Sequence, residues 1–338
     1  MKKVLVTGGT GFLGSYLLRQ LFKKGYELRG LRRSSSQTAL VGDIYDKIEW
    51  IEGDVTDISS LEDAMKGVDH VYHAAALVSF NSKDKTKMLQ VNGDGTANVV
   101  NVALDLGIEK LLHVSSIAAL GRKENQIRLD ENAQWENSKL NSDYAISKFK
   151  AECEVWRGIQ EGLQAVIINP TLIMGAGYWH SGTGKMFAQA EKGLMFYPQG
   201  GNGFVDVRDV AAVAIALMES DISGQRYIVN SENHLFKNAF TMMSKALGQK
   251  APFIKAPTWA VELMWRADKI KSVLLGVEPL VTKELARGLQ TFFQYDNVKL
   301  QKAIDFPFRT LEETVNETVA VYKECKKNNL PFGLFKEH

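Results

Sequence analysis

The chain has 338 residues, 45% of them hydrophobic and 24% charged, the profile of a globular protein with room for one large or two modest domains. A formal net charge of +2, with the basic residues scattered, leaves no electrostatic footprint for nucleic acid. Two cysteines at no metal or disulfide spacing, and no apolar run near the roughly 18 residues of a membrane span, point to a cytoplasmic protein with no metal and no membrane-spanning segment.

The amino terminus, "VLVTGGTGFLGSYLLRQLFKKG", reads as strand, glycine turn and amphipathic helix. The apolar run after Lys2 and Lys3 is too short for a signal peptide. Gly9, Gly11 and Gly14 have the G-x-G-x-x-G spacing, and Gly8, Gly11 and Gly14 recur at intervals of three. Glycines here permit a tight turn, a close backbone approach to a pyrophosphate and close helix–strand packing. The helix amino terminus then offers free amides to the phosphates. The context of strand before and helix after assigns this turn to dinucleotide binding.

The second strand runs into "LRGLRRSSSQ", which lacks the acidic residue that bonds ribose hydroxyls in enzymes for the non-phosphorylated cofactor. Arg32 and Arg33 offer charge and Ser34 to Ser36 offer hydroxyls, so the segment favours NADP, with NAD as the alternative. "IEGDVTD" follows at the end of a third strand. There Asp54 either accepts a bond from the adenine amino group or caps the helix beginning near Ser59. "DHVYHAAA" and "KLLHVSS" continue the strands, and His73 reads as a packed strand-end residue rather than an acid or base. Ser115 and Ser116 stand at the carboxyl end of "KLLHVSS", the end at which open parallel sheets bind ligands.

"NSDYAISKFK" opens the next helix and sets Tyr144 four residues before Lys148, on one helix face. Two other pairs share that spacing, Tyr295/Lys299 and Tyr322/Lys326, but neither follows a strand end at the glycine edge. Reducing a carbonyl by hydride creates an alkoxide that needs a proton. A tyrosine can give it, a nearby ammonium lowers the tyrosine pKa, and a serine hydroxyl can hold the substrate oxygen. Ser116, Tyr144 and Lys148 are therefore the candidate catalytic set, against the plainer reading of a wet helix face.

After "AVIINP" the strand–helix rhythm breaks. "GAGYWHSGTG" reads as a mobile loop whose Tyr178, Trp179 and His180 either meet substrate or anchor the loop. "DVRDVAAVAIALMES" is a helix, "GQRYIVNS" a strand, and the remainder mostly helical. "PTWAVELMWRADKIKSVLLGV" reads as a packed helix pair, with a roof over an apolar pocket or a membrane contact as alternatives. The fold class is α/β: a Rossmann-type doubly wound parallel sheet with a smaller, mainly helical carboxyl-terminal substrate domain. Residues 1–168, with 204–222 returning, form the NAD(P)-binding domain; residues 169–203 and 223–338 form the other.

The ordered set "TGGTGFLG", "GDVTD", "HAAA", "VNGDGTANVV", "HVSSIAALG", "YAISK" and "NPTLIMGAG" resembles the extended short-chain dehydrogenase/reductases, the NAD-dependent epimerase/dehydratase family. "GNGFVD" before "VRDVA", together with Arg33, is most similar to the dihydroflavonol-reductase group. The resemblance implies that Gly8, Gly11, Phe12 and Leu13 hold the pyrophosphate and that Asp54 and Val55 hold adenine. It implies that Ala74, Ala75 and Ala76 line the nucleotide, and that Pro170, Thr171 and Leu172 lie beside the nicotinamide with Tyr144 and Lys148. It makes Asn92 a supporting polar residue and implies a homodimer through the helices around residues 86–106 and 142–160. Ile117 and Ala118 follow Ser116 where sugar-nucleotide dehydratases carry an acidic pair, which argues against dehydration. The aromatic signature of plant cinnamoyl-coenzyme-A reductases around the tyrosine is absent. The expected function is an NADPH-dependent reductase or dehydrogenase interconverting a small-molecule carbonyl and alcohol. The alternatives are a sugar-nucleotide epimerase with retained cofactor and a cofactor sensor without chemistry.

Overall fold

The computed structural model describes residues 2–79, 81–121, 127–138, 140–275, 286 and 288–335. Seven parallel strands build the main sheet: β1 (Lys3–Thr7), β2 (Glu27–Arg32), β3 (Glu49–Glu52), β4 (His70–His73), β5 (Lys110–Val114), β6 (Ala165–Pro170) and β9 (Gln225–Val229). Their spatial order is β9-β6-β5-β4-β1-β2-β3. The order reverses between β1 and β4, so the crevice at their carboxyl ends is the topological switch point where such sheets take ligands. The edge strand β9 comes from beyond the 204–222 stretch assigned to this domain from the sequence.

Helices cover both faces, which is why β1 and β6 are apolar without alternation. On one face α1 (Phe12–Lys23) packs along α6 (Val207–Glu219). Leu13, Leu17 and Leu21 of α1 meet Val210, Val213 and Leu217 of α6 in one buried cluster. Fully burying each such side chain stabilises by roughly 1.5–3 kcal/mol. On the other face lie α2 (Ile58–Met65), α3 (residues 85–105) and α4 (Asp143–Gln160), around Val71, Val99, Leu111 and Val155. Midway along α3 the backbone widens to π geometry at Leu89–Asp94, the segment that carries Asn92. Such widenings are commonly functional.

Beyond β6, β7 (Leu172–Met174), β8 (Gly201–Asp206) and β10 (Glu232–Leu235) form a three-stranded sheet, with β8 central. It packs with α5 (Gly184–Glu191), α7 (Phe236–Ala246) and α10 (Leu311–Lys327) around Phe187, Phe204, Phe236 and Val315. The stretch read as a helix pair is one helix, α8 (Thr258–Leu275), as far as it lies within the described residues. It exposes Trp259 and Leu263. A short helix, α9 (Val298–Ile304), precedes α10.

The carboxyl-terminal segment returns to the first helix. The Phe335 amide donates to the Tyr16 hydroxyl at 3.2 Å, and the Arg208 guanidinium lies 3.7 Å from the centre of the Phe335 ring. No helix among the described residues is long and apolar enough to cross a membrane.

Candidate active site

The site begins with the turn between β1 and α1. Gly8 has φ +73°, and a Cβ there would lie 2.7 Å from the Ala74 carbonyl carbon and the Ala75 amide nitrogen. A Cβ on Gly14 would lie 2.2 Å from the Gly8 carbonyl oxygen. Gly11 starts α1 without a side-chain cap, so the first amides of the helix stay open at the carboxyl edge of the sheet. Phe12 is half-buried against Gly175 and Gly177, and Leu13 is buried in the core. A cradle that a methyl group would fill, ending in an uncapped helix, fits a pyrophosphate.

At the end of β2, Arg32 lies 5.9 Å from the centre of the Tyr45 ring, and Arg33 is exposed. Ser36 accepts from the Arg33 amide at 3.1 Å, which shapes the serine turn. Asp54 does not cap α2. Its Oδ1 accepts from the Thr56 amide and hydroxyl at 3.0 and 2.8 Å, whereas Asp57 is the cap, accepting from the Ser59 amide. Val55 is buried beside Gly95 of α3. Thr171 is buried beneath β9, its amide donating to the Val229 carbonyl at 3.1 Å. Pro170 closes β6 and Leu172 opens β7.

A line of hydrogen bonds joins the glycine strand to the tyrosine helix. The Ala75 amide donates to Thr7 Oγ1, which contacts His73 Nδ1 at 2.8 Å. His73 Nε2 contacts Thr96 Oγ1 at 2.9 Å, and the Thr96 hydroxyl donates to the Asn92 carbonyl at 2.6 Å. Burial pushes the His73 pKa down to about 3, with help from Lys148, so the imidazole is neutral. Thr96 spends its proton on the Asn92 carbonyl and so accepts from His73 Nε2–H, which leaves Nδ1 of the neutral ring to accept from the Thr7 hydroxyl. The Asn92 side chain then accepts from the Leu77 amide at 2.7 Å and donates to the Leu77 carbonyl and to Ser147 Oγ, both at 2.9 Å. Ser147 Oγ donates to the Tyr144 carbonyl at 2.8 Å. The segment from Ala74 to Leu77 and α4 are thus fixed to one another through Asn92.

Ser142 caps α4, accepting from the Ala145 amide at 3.1 Å. Tyr144 sits in the first turn, partly exposed, and hydrogen-bonds the Ser116 side chain. Lys148 is only 2% exposed, and its ammonium donates to the Val114 carbonyl at 2.8 Å. The geometry brings Ser116, Tyr144 and Lys148 together at the carboxyl end of β5, two strands from the glycine turn. Burial pushes the Lys148 pKa down to about 8, with Glu152 opposing that fall. Burial raises the Tyr144 pKa above its ordinary value, against the Ser116 hydrogen bond. The lowering expected from a neighbouring ammonium does not appear: Lys148 is turned towards the Val114 carbonyl, and the group that opposes desolvation at Tyr144 is Ser116. Tyr144 holds its proton at neutral pH, the state of a proton donor.

Sequence reasoning missed the polar groups behind this set. Ser115 Oγ donates to Glu152 at 2.8 Å, and Asn169 Nδ2 donates to both the Ser116 carbonyl and Glu152. Glu152 follows Lys148 by four residues, a spacing that would have placed it on the same helix face. The other two tyrosine–lysine pairs lie elsewhere. Tyr322 and Lys326 both bind Glu191, and Lys299 donates to the Arg226 carbonyl. The "GAGYWHSGTG" loop is anchored to the carboxyl-terminal segment: the Trp179 amide donates to the Pro331 carbonyl at 3.1 Å, and Tyr178 pairs with Phe332. His180 is exposed. Among the described residues no group of three or more His, Cys, Asp and Glu side chains is placed to hold a metal ion.

A parallel sheet with its glycine cradle at the switch point, and a tyrosine–lysine–serine set on the same edge, define an NAD(P)-dependent oxidoreductase of the extended short-chain dehydrogenase/reductase type. The chain belongs to the NAD dependent epimerase/dehydratase family, whose model matches residues 4–230. It is 31% identical over 323 residues to a Synechocystis sp. protein provisionally named a dihydroflavonol 4-reductase, covering 93% of this chain and 92% of that one. It is 32% identical over 258 residues to sterol demethylase protein B of Methylococcus capsulatus, covering 75% and 77%. The crystal structure of gox2253 superposes with a TM-score of 0.82 at 30% identity, covering 96% of this chain and 98% of that one.

Proposed function

We propose that the protein is an NADPH-dependent reductase that interconverts a carbonyl and an alcohol on a small-molecule substrate. The observation that carries the reading is geometric: Tyr144 lies against Ser116, one turn from the buried Lys148, at the carboxyl end of β5. A bound nicotinamide supplies the hydride. Ser116 Oγ orients the substrate carbonyl, and Tyr144 Oη gives its proton to the oxygen as negative charge grows there. Lys148 stabilises the phenolate left behind. The hydroxyl chain from Thr7 to Thr96 and the Asn92 bridge hold the nucleotide-side loop and α4 in register.

Gly8, Gly11, Phe12 and Leu13 cradle the pyrophosphate in this reading; Asp54 and Val55 take the adenine end, Ala74 to Ala76 the nucleotide, and Pro170 to Leu172 the nicotinamide. Arg32 and Arg33 favour a ribose 2′-phosphate because a guanidinium offers paired donors to it and no carboxylate stands at the end of β2. A reductase releases its oxidised cofactor after each turnover, which fits such a phosphate grip better than a cofactor retained for epimerisation. Ile117 and Ala118 supply no acid for elimination. The similarity to a protein named as a reductase supports the same direction.

The test is NADPH consumption across a panel of aldehydes, ketones and sugar nucleotides. Stoichiometric oxidation with a carbonyl compound supports the reading. Interconversion of a sugar nucleotide without net oxidation would replace it with epimerisation.

A further inference from the structure

Behind Tyr144 and Lys148 lies a carboxylate that proton and hydride transfer do not themselves require. Tyr144, Lys148 and Glu152 follow one another at intervals of one turn and share a face of α4. Glu152 is buried, and both of its oxygens are engaged. Oε2 accepts from Ser115 Oγ at 2.8 Å and from Asn169 Nδ2 at 2.9 Å. Oε1 accepts from Arg226 Nη1 at 2.9 Å and from Trp156 Nε1 at 3.4 Å.

These bonds converge on the strand end that presents Ser116. Asn169 Nδ2 also donates to the Ser116 carbonyl at 3.0 Å, and the Ser115 amide donates to the Ile168 carbonyl at 2.8 Å. Lys148 holds the preceding carbonyl, that of Val114. Arg226 is itself fixed by the Glu131 and Ala133 carbonyls, at 2.9 and 2.6 Å.

We propose that Glu152, with Arg226 as its counter-ion, is the positioning residue of this site: it clamps the Ser115–Ser116 strand end and sets its carboxylate one helical turn from Lys148. The proposal rests on the reading of Ser116, Tyr144 and Lys148 as the catalytic set. The other groups around Lys148 leave the negative charge there to Glu152. His73 on β4 and His113 on β5 are buried and their pKa values are pushed down, so both are neutral. Tyr144 on α4 keeps its proton. Glu152 is the neighbour whose charge opposes the desolvation of Lys148. A purely structural ion pair between α4 and β9 would hold the fold equally well and would leave the Lys148 titration unchanged.

The experiment is a titration of the intact protein carrying carbon-13 at the lysine ε position, with the Lys148 resonance assigned by its loss in Lys148→Arg. Glu152→Gln should move the Lys148 midpoint down by roughly one pH unit or more, because an opposite charge on the next turn favours the ammonium. The double variant Glu152→Gln/Arg226→Met leaves no guanidinium buried without its partner and keeps the test open if the single variant folds poorly; it should show a smaller fall, because the opposing Arg226 charge leaves with the carboxylate. An unchanged midpoint in folded Glu152→Gln, or a midpoint that does not fall at all in the double variant, overturns the proposal. The titration needs no turnover, so its result is independent of whether Tyr144 proves to be the proton donor.

Discussion

The proton on Tyr144 and the charge on Lys148 are set by burial, and burial moves them in opposite senses. Desolvation disfavours the phenolate and the ammonium alike, so it raises the Tyr144 pKa and brings Lys148 down to about 8. A donor that must become a transient phenolate needs the ammonium charged. Reduction, measured as kcat/KM, should therefore fall as pH rises through about 8, where Lys148 loses its proton. In Lys148→Arg the guanidinium stays charged across this range, and the fall near that pH should vanish even if the rate is lower; its persistence would assign it to another group. Arg33 is exposed at the end of β2. Arg33→Ala should weaken NADP binding by roughly 10-fold or more, the worth of a charge-assisted phosphate contact, and change NAD binding little. Fluorescence titration of both cofactors checks this, and equal losses would contradict the phosphate contact. Tyr144 stood out in the sequence by position, following "VSS" after the glycine edge, because its spacing to lysine occurs three times. The Glu152, Asn169 and Arg226 cluster did not stand out, since its members come from α4, β6 and β9 and meet only when the sheet is assembled.

Among the elements, the β1–α1 turn carries a steric demand imposed by backbone alone. Gly14 lets α1 start directly against the Gly8 carbonyl, and no rotamer change can relieve a clash with backbone. Gly14→Ala should destabilise the fold by about 1–3 kcal/mol, as overpacking does, and weaken cofactor binding with it. Urea unfolding and a cofactor titration read the two effects; a stable variant with normal affinity would show that the turn has slack. The turn, the alternation of strands and helices, and the start of α4 were legible because each depends on local residue chemistry. The π widening that presents Asn92 was not, because "VNGDGTANVV" reads as an ordinary helix. The anchoring of the 175–183 loop was also hidden: its partners Pro331 and Phe332 lie at the far end of the chain.

In the whole molecule, the seven-stranded sheet supplies the cofactor edge, and the three-stranded sheet with its helices stands beyond β6. We take residues 1–168 and 204–222, extended by β9, as the cofactor-binding unit and the remainder as the substrate unit; residues 276–285 fall outside the described residues. The division explains why substrate identity is harder to read than chemistry. The cofactor half is built from motifs with a fixed physical purpose, whereas the other half is shaped by packing around Phe187, Phe204 and Phe236. In the proposed reaction Tyr144 gives the proton that makes a hydride acceptor of a carbonyl. The measurement that tests it most directly is turnover by Tyr144→Phe with NADPH and the best carbonyl compound from the panel, alongside its NADPH dissociation constant. Tyr144→Phe should lose roughly 10²-fold or more in kcat, the contribution of a positioned acid, with cofactor affinity nearly intact. Turnover close to that of the unaltered protein would contradict proton donation by Tyr144.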